Sequence, residues 1–181
     1  MRKIFQFIYH QVLGWKEKIT INLPDKCVIC IAPHTSNWDF AIGELFIHQY
    51  GWKAHFMMKK DWFFWPLGPI LRGMGGIPID RSHKTSTVEQ MIEMFKKRQV
   101  FHLGITPEGT RKANPTWKKG FYYIALGANV PIVLIAIDYK LKTVIAEKII
   151  QPCGDLEKDM MIIKDYFKGW TGKYPQNFAI E

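Results

Sequence analysis

The side chains best suited to chemistry in this sequence are His34 and Asp39, which lie five residues apart between an apolar run and an amphipathic segment. On a regular helix, residues at this spacing point about 140° apart, so the two side chains can meet only if the chain turns between them. Ser36 or Asn37 could cap a helix that begins after such a turn. A carboxylate that holds one imidazole nitrogen fixes the tautomer and makes the other nitrogen a better base for a hydroxyl proton. The alternative is a surface histidine near a helix amino terminus, with the aspartate stabilising the helix dipole.

Two further polar clusters, residues 75–82 and 105–112, also follow apolar runs. If those runs are neighbouring strands of one sheet, the loops at their carboxyl ends meet the first loop at one crevice. Arg81 and Arg111 suit a phosphate because a guanidinium group can bond two oxygens at once. Gly109 would let the backbone approach a ligand closely. Taken singly, each cluster is an ordinary solvated turn.

Short apolar runs alternate with longer amphipathic ones along the chain, which predicts a single α/β domain over residues 1–181, with a mixed sheet flanked by helices. The strands and short apolar runs are predicted at residues 28–32, 54–58, 77–80, 100–105, 131–138 and 141–146. The helices are predicted at residues 38–50, 85–98, 121–126 and 156–167. No repeat, low-complexity stretch or linker divides the chain.

Together and in this order, the motifs resemble those of the glycerolipid acyltransferase family, which includes 1-acylglycerol-3-phosphate acyltransferase. The first motif of that family is a His and an Asp separated by four residues, as His34 and Asp39 are. The second leads from a Gly to an Arg, as in residues 76–81, and the third, Pro-Glu-Gly-Thr-Arg, is intact at residues 107–111. The fourth, Val-Pro-Ile-Val, matches residues 130–133, so the resemblance covers roughly residues 28–137.

The resemblance implies a glycerol-3-phosphate acyltransferase-like fold and the transfer of a fatty acyl group to a hydroxyl of a glycerol-phosphate lipid precursor. The donor would be acyl-CoA or acyl-carrier protein, and lysophosphatidic acid is the first acceptor it suggests, in phospholipid biosynthesis. His34 would be the general base and Asp39 its orienting partner, and no metal, tightly bound cofactor or acyl-enzyme is implied. The second and third motifs would bind the acceptor and shape its pocket through Arg81, Glu108, Gly109, Thr110 and Arg111.

The sequence departs from the family pattern at four positions, Pro78, Thr106, Lys112 and Leu134. These residues affect the shape of the loops and the fit of the acceptor, and they leave the first motif untouched. The identity of the acceptor is therefore open, and the main alternative is an O- or N-acyltransferase of the same family that uses a different lipid.

The chain carries a formal net charge of +9, and the excess of basic residues lies within residues 1–120. Such a field attracts nucleic acid, anionic lipid or a phosphorylated substrate. No nucleic-acid-binding module is recognisable, and the aromatic residues cluster with Pro and Leu instead of interleaving with Arg. A basic protein that binds nucleic acid or a membrane without catalysis is the distant alternative.

Two segments suit a membrane surface. Residues 1–15 combine Arg2 and Lys3 with apolar side chains, as an interfacial amphipathic helix would, and residues 62–71 place aromatic side chains between basic ones, a pattern favoured at the water–lipid boundary. Residues 120–137 carry no charge, but the Gly, Asn and Pro in their middle predict a helix end, a turn and a strand in place of a membrane span. We therefore expect a peripheral or monotopic protein on the cytoplasmic face of the membrane, bound to anionic lipids.

The three cysteines and the lack of a secretory-signal pattern predict a reducing, cytoplasmic setting. Cys27 and Cys30 have the spacing of a redox or zinc pair, but they lie in or beside the predicted strand 28–32 and no second pair accompanies them. This context favours buried structural thiols.

Overall fold

The computed structural model describes residues 2–79 and 86–180, in which seven strands form one sheet between two layers of helices. The strands are β1 Lys16–Ile19, β2 Lys26–Ala32, β3 Ala54–Lys59, β4 Gly76–Ile79, β5 Phe101–Ile105, β6 Ile132–Asp138 and β7 Thr143–Ile150. The helices are α1 Arg2–Phe7, α2 Trp38–Tyr50, α3 Leu67–Gly73, α4 Thr87–Lys97, α5 Gly120–Ala128 and α6 Leu156–Phe167. A π-helical turn, Ile8–Val12, continues α1.

The sheet is mixed, and its order is β1-β7-β6-β2-β5-β3-β4. The five strands from β6 to β4 run parallel to one another, whereas β7 is antiparallel to β6 and β1 is parallel to β7. Every residue of β6 is buried, as expected for an inner strand covered on both faces. The predicted α/β domain with a mixed, helix-flanked sheet is confirmed.

Side chains alternate between the two faces of β2. Val28 and Cys30 point into the core shared with α4, α5 and α6, whereas Cys27 and Ile29 point into the core shared with α2 and the amino-terminal segment. The two thiols are buried and free, in opposite cores, so they do not form a redox or zinc pair. Burial raises the pKa of Cys27 to about 12, which keeps that thiol protonated.

Most predicted elements are present, with ends that differ by a few residues. Residues 120–137 contain α5, a left-handed turn at Asn129 and then β6, as predicted. No helix among the described residues is long and apolar enough to cross a bilayer. Two elements are not predicted from the sequence: β1, whose Lys-Glu-Lys pattern lacks an apolar signal, and α3, which lies within a stretch that two prolines interrupt.

Parallel strands bring the chemically interesting loops to one edge of the sheet. Strands β2, β3, β5 and β6 all end there, and Cys30 of β2 is in register with Ile105 of β5. The loops that contain His34 and Glu108 therefore leave the sheet side by side. The first and third polar loops converge as predicted, and the second, residues 75–82, is described only as far as Ile79.

Candidate active site

The loop after β2 places His34 beside Asp39, which lies in the first turn of α2. The chain turns between them, so Asp39 Oδ2 comes within 3.2 Å of His34 Nδ1. With Nδ1–H donating to the carboxylate, the lone pair of the imidazole is on Nε2. The side chain of Asp39 is 2% exposed and that of His34 is 21% exposed, so a substrate can reach the histidine and not the aspartate.

Four further donors hold the Asp39 carboxylate. The backbone N–H groups of Thr35 and Ser36 donate to Oδ2 at 2.7 and 2.9 Å, and the hydroxyls of Ser36 and Tyr139 donate to Oδ1 at 2.9 and 2.7 Å. Burial alone would raise the pKa of Asp39, but the hydrogen bonds from His34, Tyr139 and Ser36 outweigh it and hold the pKa below its usual value. Asp39 is therefore ionised at neutral pH and can orient the imidazole.

The turn before α2 is closed by Ser36, whose hydroxyl oxygen accepts a hydrogen bond from the Trp38 N–H at 3.2 Å. Asn37 makes no such cap. Its side-chain oxygen instead accepts a hydrogen bond from Arg111, which connects the loop of the first motif to the loop of the third.

Glu108 lies behind the loop of His34. It is fully buried, and its Oε1 accepts a hydrogen bond from the His34 backbone N–H at 2.7 Å. Within the described residues, Oε2 has no hydrogen-bond partner. Burial raises the pKa of Glu108 to about 8, the His34 N–H opposes this and the charge of Asp39 adds to it. A protonated Glu108 that supports the His34 backbone fits this position better than direct contact with a substrate.

Gly109 allows a lysine to cross the third loop. Its φ is +66°, and a Cβ at this position would lie 2.5 Å from Lys118 Cε. Lys118 contributes to the wall of the cavity described below. The glycine therefore admits a lysine side chain that lines the same cavity as His34.

The remaining predicted binding residues have different positions. Arg111 is exposed, so its guanidinium can reach a ligand as well as Asn37. Thr110 uses its hydroxyl oxygen to accept a hydrogen bond from the Lys112 N–H at 3.2 Å. Arg81 lies outside the described residues.

A cavity of about 440 Å³ opens beside His34 and continues between α2 and the sheet. Its wall is mostly apolar and comes from five strands and α2, for example Ile31, Phe40, Ile47 and Ile135. The lining continues from Thr106 at the carboxyl edge to Ala54 near the start of β3, which is in register with His102, so it spans about 13 Å at the rise of a strand. The site can thus hold a long apolar chain with one end at the imidazole. No cluster of three or more His, Cys, Asp or Glu side chains that could hold a metal occurs in the described part of the chain.

The sequence profile of the acyltransferase family matches residues 16–138, which is more than half of the chain. The protein belongs to the acyltransferase family. Its fold is similar to the crystal structure of the 1-acyl-sn-glycerophosphate (LPA) acyltransferase PlsC from Thermotoga maritima, with a TM-score of 0.61, 18% identity, and coverage of 93% of this chain and 75% of PlsC. At this identity the likeness concerns the fold. A comparison with curated proteins found no match.

Two features around the site of this acyltransferase have no local signal in the sequence. Tyr139 donates to Asp39 from 100 positions away along the chain, and nothing in the local sequence indicates that contact. The position of Lys118 in the cavity wall likewise follows only from its passage over Gly109.

Proposed function

We propose that this acyltransferase moves a fatty acyl group from a thioester, acyl-CoA or acyl-carrier protein, to a hydroxyl of a glycerol-phosphate lipid precursor, with lysophosphatidic acid as the first acceptor. One observation carries the proposal. A histidine that is oriented by a buried, ionised aspartate lines an apolar cavity that suits an acyl chain.

In the proposed reaction, His34 Nε2 takes the proton of the acceptor hydroxyl while the hydroxyl oxygen attacks the thioester carbonyl carbon. The C–S bond then breaks, and the departing thiolate takes a proton from the imidazolium. Asp39 supports the positive charge that forms on the ring. The acyl group passes directly between the two substrates, without an acyl-enzyme.

In this proposal the cavity binds the acyl chain, and the basic residues bind the phosphate of the acceptor. Each buried CH₂ group contributes about 0.8 kcal/mol, so an apolar wall favours a long chain. Arg111 bonds Asn37 in the loop of His34 and Lys118 lines the same cavity as His34, so both can neutralise an acceptor phosphate. Arg81 joins them in this proposal on the basis of its motif.

The direct test is an assay of the purified protein with labelled acyl-CoA or acyl-carrier protein and a panel of acceptors, resolved by lipid chromatography. We expect lysophosphatidic acid to be converted to phosphatidic acid in preference to glycerol 3-phosphate and amino-lipids. His34→Ala should abolish transfer, whereas His48→Ala, which removes a His–Glu pair with Glu44 at 3.5 Å, should keep most of it. Transfer to none of the acceptors, or full activity of His34→Ala, would contradict the proposal.

We further propose that the protein docks on anionic membranes with the carboxyl edge of the sheet toward the lipid. The segment of residues 62–65, here called the aromatic segment, follows β3 at that edge, and Trp62, Phe64 and Trp65 are 55%, 57% and 84% exposed. Exposed basic residues flank it, namely Lys59, Lys60 and Arg72. Exposed aromatic rings beside cations suit the boundary between water and lipid.

The amino-terminal helix also exposes apolar side chains, near the carboxyl end of α2 and so away from this edge of the sheet. Ile4 and Phe7 of α1 are each 61% exposed, and Arg2 and Lys3 are exposed beside them. The helix is attached to α2, because Phe5 stacks on His48 with ring centroids 4.9 Å apart.

Sedimentation with phosphatidylcholine vesicles, with and without phosphatidylglycerol, tests the docking. We expect binding that needs the anionic lipid and weakens with salt, and a protein that stays in the supernatant at low salt would refute it.

A further inference from the structure

We propose that Tyr139 is a positioning residue for the Asp39–His34 pair, whose hydroxyl holds the carboxylate in place and sets the lower pH limit of activity. The proposal rests on the proposed function only for its kinetic test. The contact itself is part of the geometry, since the Tyr139 hydroxyl donates to Asp39 Oδ1 at 2.7 Å.

The tyrosine reaches Asp39 from outside the first motif. Three of the other groups that donate to Asp39, on Thr35 and Ser36, belong to the same loop as His34 and move with it. Tyr139 directly follows β6 and is therefore attached to the inner part of the sheet. The hydrogen bond from its hydroxyl connects the Asp39 carboxylate to the sheet, whereas the donors on Thr35 and Ser36 connect it only to the loop.

Tyr139 is itself held at its backbone and at its ring. Its backbone N–H donates to the Thr171 carbonyl oxygen at 2.8 Å, and its ring meets the buried Trp15 edge-on with centroids 5.0 Å apart. The segment after α6 also reaches the catalytic loop, where the Tyr174 N–H donates to the Thr35 hydroxyl oxygen at 3.2 Å. The hydroxyl of Tyr139 is therefore fixed before any substrate binds.

The hydroxyl acts as a permanent donor and not as a proton-transfer group. Burial raises the pKa of Tyr139 far above its usual value, and its hydrogen bond to Asp39 adds to the shift. The tyrosine therefore keeps its proton throughout the pH range of an enzyme. The titratable groups that face Asp39 or Tyr139 in the described residues are His34, Glu108 and Tyr174.

Removing the Tyr139 hydroxyl should shift the pH dependence of activity in a predictable direction. Without its donor on Oδ1, the Asp39 carboxylate presents more of its negative charge to the imidazole, which then holds a proton more tightly. In Tyr139→Phe we therefore expect the acidic limb of kcat/KM to move to higher pH. We also expect kcat to fall about three- to tenfold, the range that one hydrogen bond covers. KM for the acyl donor should stay the same, because Tyr139 does not line the cavity.

The matched control is Tyr122→Phe. Tyr122 also donates to a buried aspartate, Asp159, at 2.9 Å, but it lies in α5 on the other face of the sheet. We expect this variant to lose stability and to keep the wild-type pH profile. A pH profile that changes equally in both variants would assign Tyr139 a merely structural role.

A second pair of measurements does not depend on transfer, and one of the two does not use the phenylalanine variant. Titration of the His34 ring by NMR, assigned by comparison with His34→Ala, should give a higher midpoint in Tyr139→Phe. Replacing Tyr139 with 3-fluorotyrosine keeps the ring and makes the hydroxyl a stronger donor, so the midpoint should move to lower pH. Unchanged midpoints in both proteins would overturn the proposal, even if the enzyme proves to use another acceptor.

Discussion

The loop of residues 33–37 and the aromatic segment leave the same edge of the sheet but are built in opposite ways. In the loop, Thr35 and Ser36 are buried and their polar groups converge on Asp39. In the aromatic segment, Trp62 and Trp65 are exposed and carry apolar surface into solvent. Buried hydrogen bonds fix a geometry, and exposed apolar surface offers a contact. Chemistry and docking are thus separable on one edge, and substitutions should affect one without the other.

Of the substitutions that separate chemistry from docking, Asp39→Asn should have the largest effect. The amide removes the negative charge that supports the imidazolium, and it presents N–H groups to a site already surrounded by donors from Thr35 and Ser36. We expect kcat/KM to fall about a hundred- to ten-thousand-fold in steady-state assays, with unchanged binding to anionic vesicles. A variant that loses vesicle binding as well would show that the two functions are not separable.

The converse substitution is Trp65→Ala, at a side chain that is 84% exposed. We expect vesicle binding to weaken about tenfold, because roughly 1–2 kcal/mol of apolar contact with lipid is lost, while thermal stability and turnover of a soluble short-chain substrate remain unchanged. Met161→Ala is the control, since Met161 is 68% exposed on α6. Equal loss of vesicle binding in both variants would argue against a specific role of the aromatic segment.

Glu108, which is buried behind the loop of His34, should make the stability of the fold depend on pH. The pKa of Glu108 is raised to about 8 by burial, so between its ordinary value and pH 8 the folded protein holds a proton that the unfolded chain releases. Stability should therefore decline as the pH rises through that window, by at most about 1.4 kcal/mol per pH unit, and level off above it. Glu108→Gln is the neutral analogue, and its melting temperature measured from pH 5 to 9 should lack this decline. Parallel curves for the two proteins would contradict the assignment.

The sequence predicts those parts of the molecule that depend on local pattern. The apolar runs of β2 and β6 and the turn that joins His34 to Asp39 are local, and the structure contains them. The burial of Glu108 and the contact of Tyr139 depend on which strands become neighbours, here β2 with β5 and β6. The order of the strands in the sheet cannot be read from a single sequence, so neither the burial of Glu108 nor the contact of Tyr139 could be predicted. The apolar cavity is missed for the same reason, since its wall combines residues from five strands and α2.

The smallest effect on activity is expected for Gly109→Ala, which tests whether the loop of the third motif takes part in binding the acceptor. Both Gly109 and Gly51 have positive φ, +66° and +71°, so alanine costs each about 1 kcal/mol of backbone strain. Only at Gly109 does the added Cβ meet a neighbour, Lys118, whereas at Gly51 it meets nothing within 4 Å. The two variants should therefore lose similar stability in denaturant unfolding. Gly109→Ala alone should raise KM for a phosphorylated acceptor, by about two- to fivefold for one displaced, solvent-exposed cation. An equal KM in the two variants would show that Lys118 has no part in binding the acceptor.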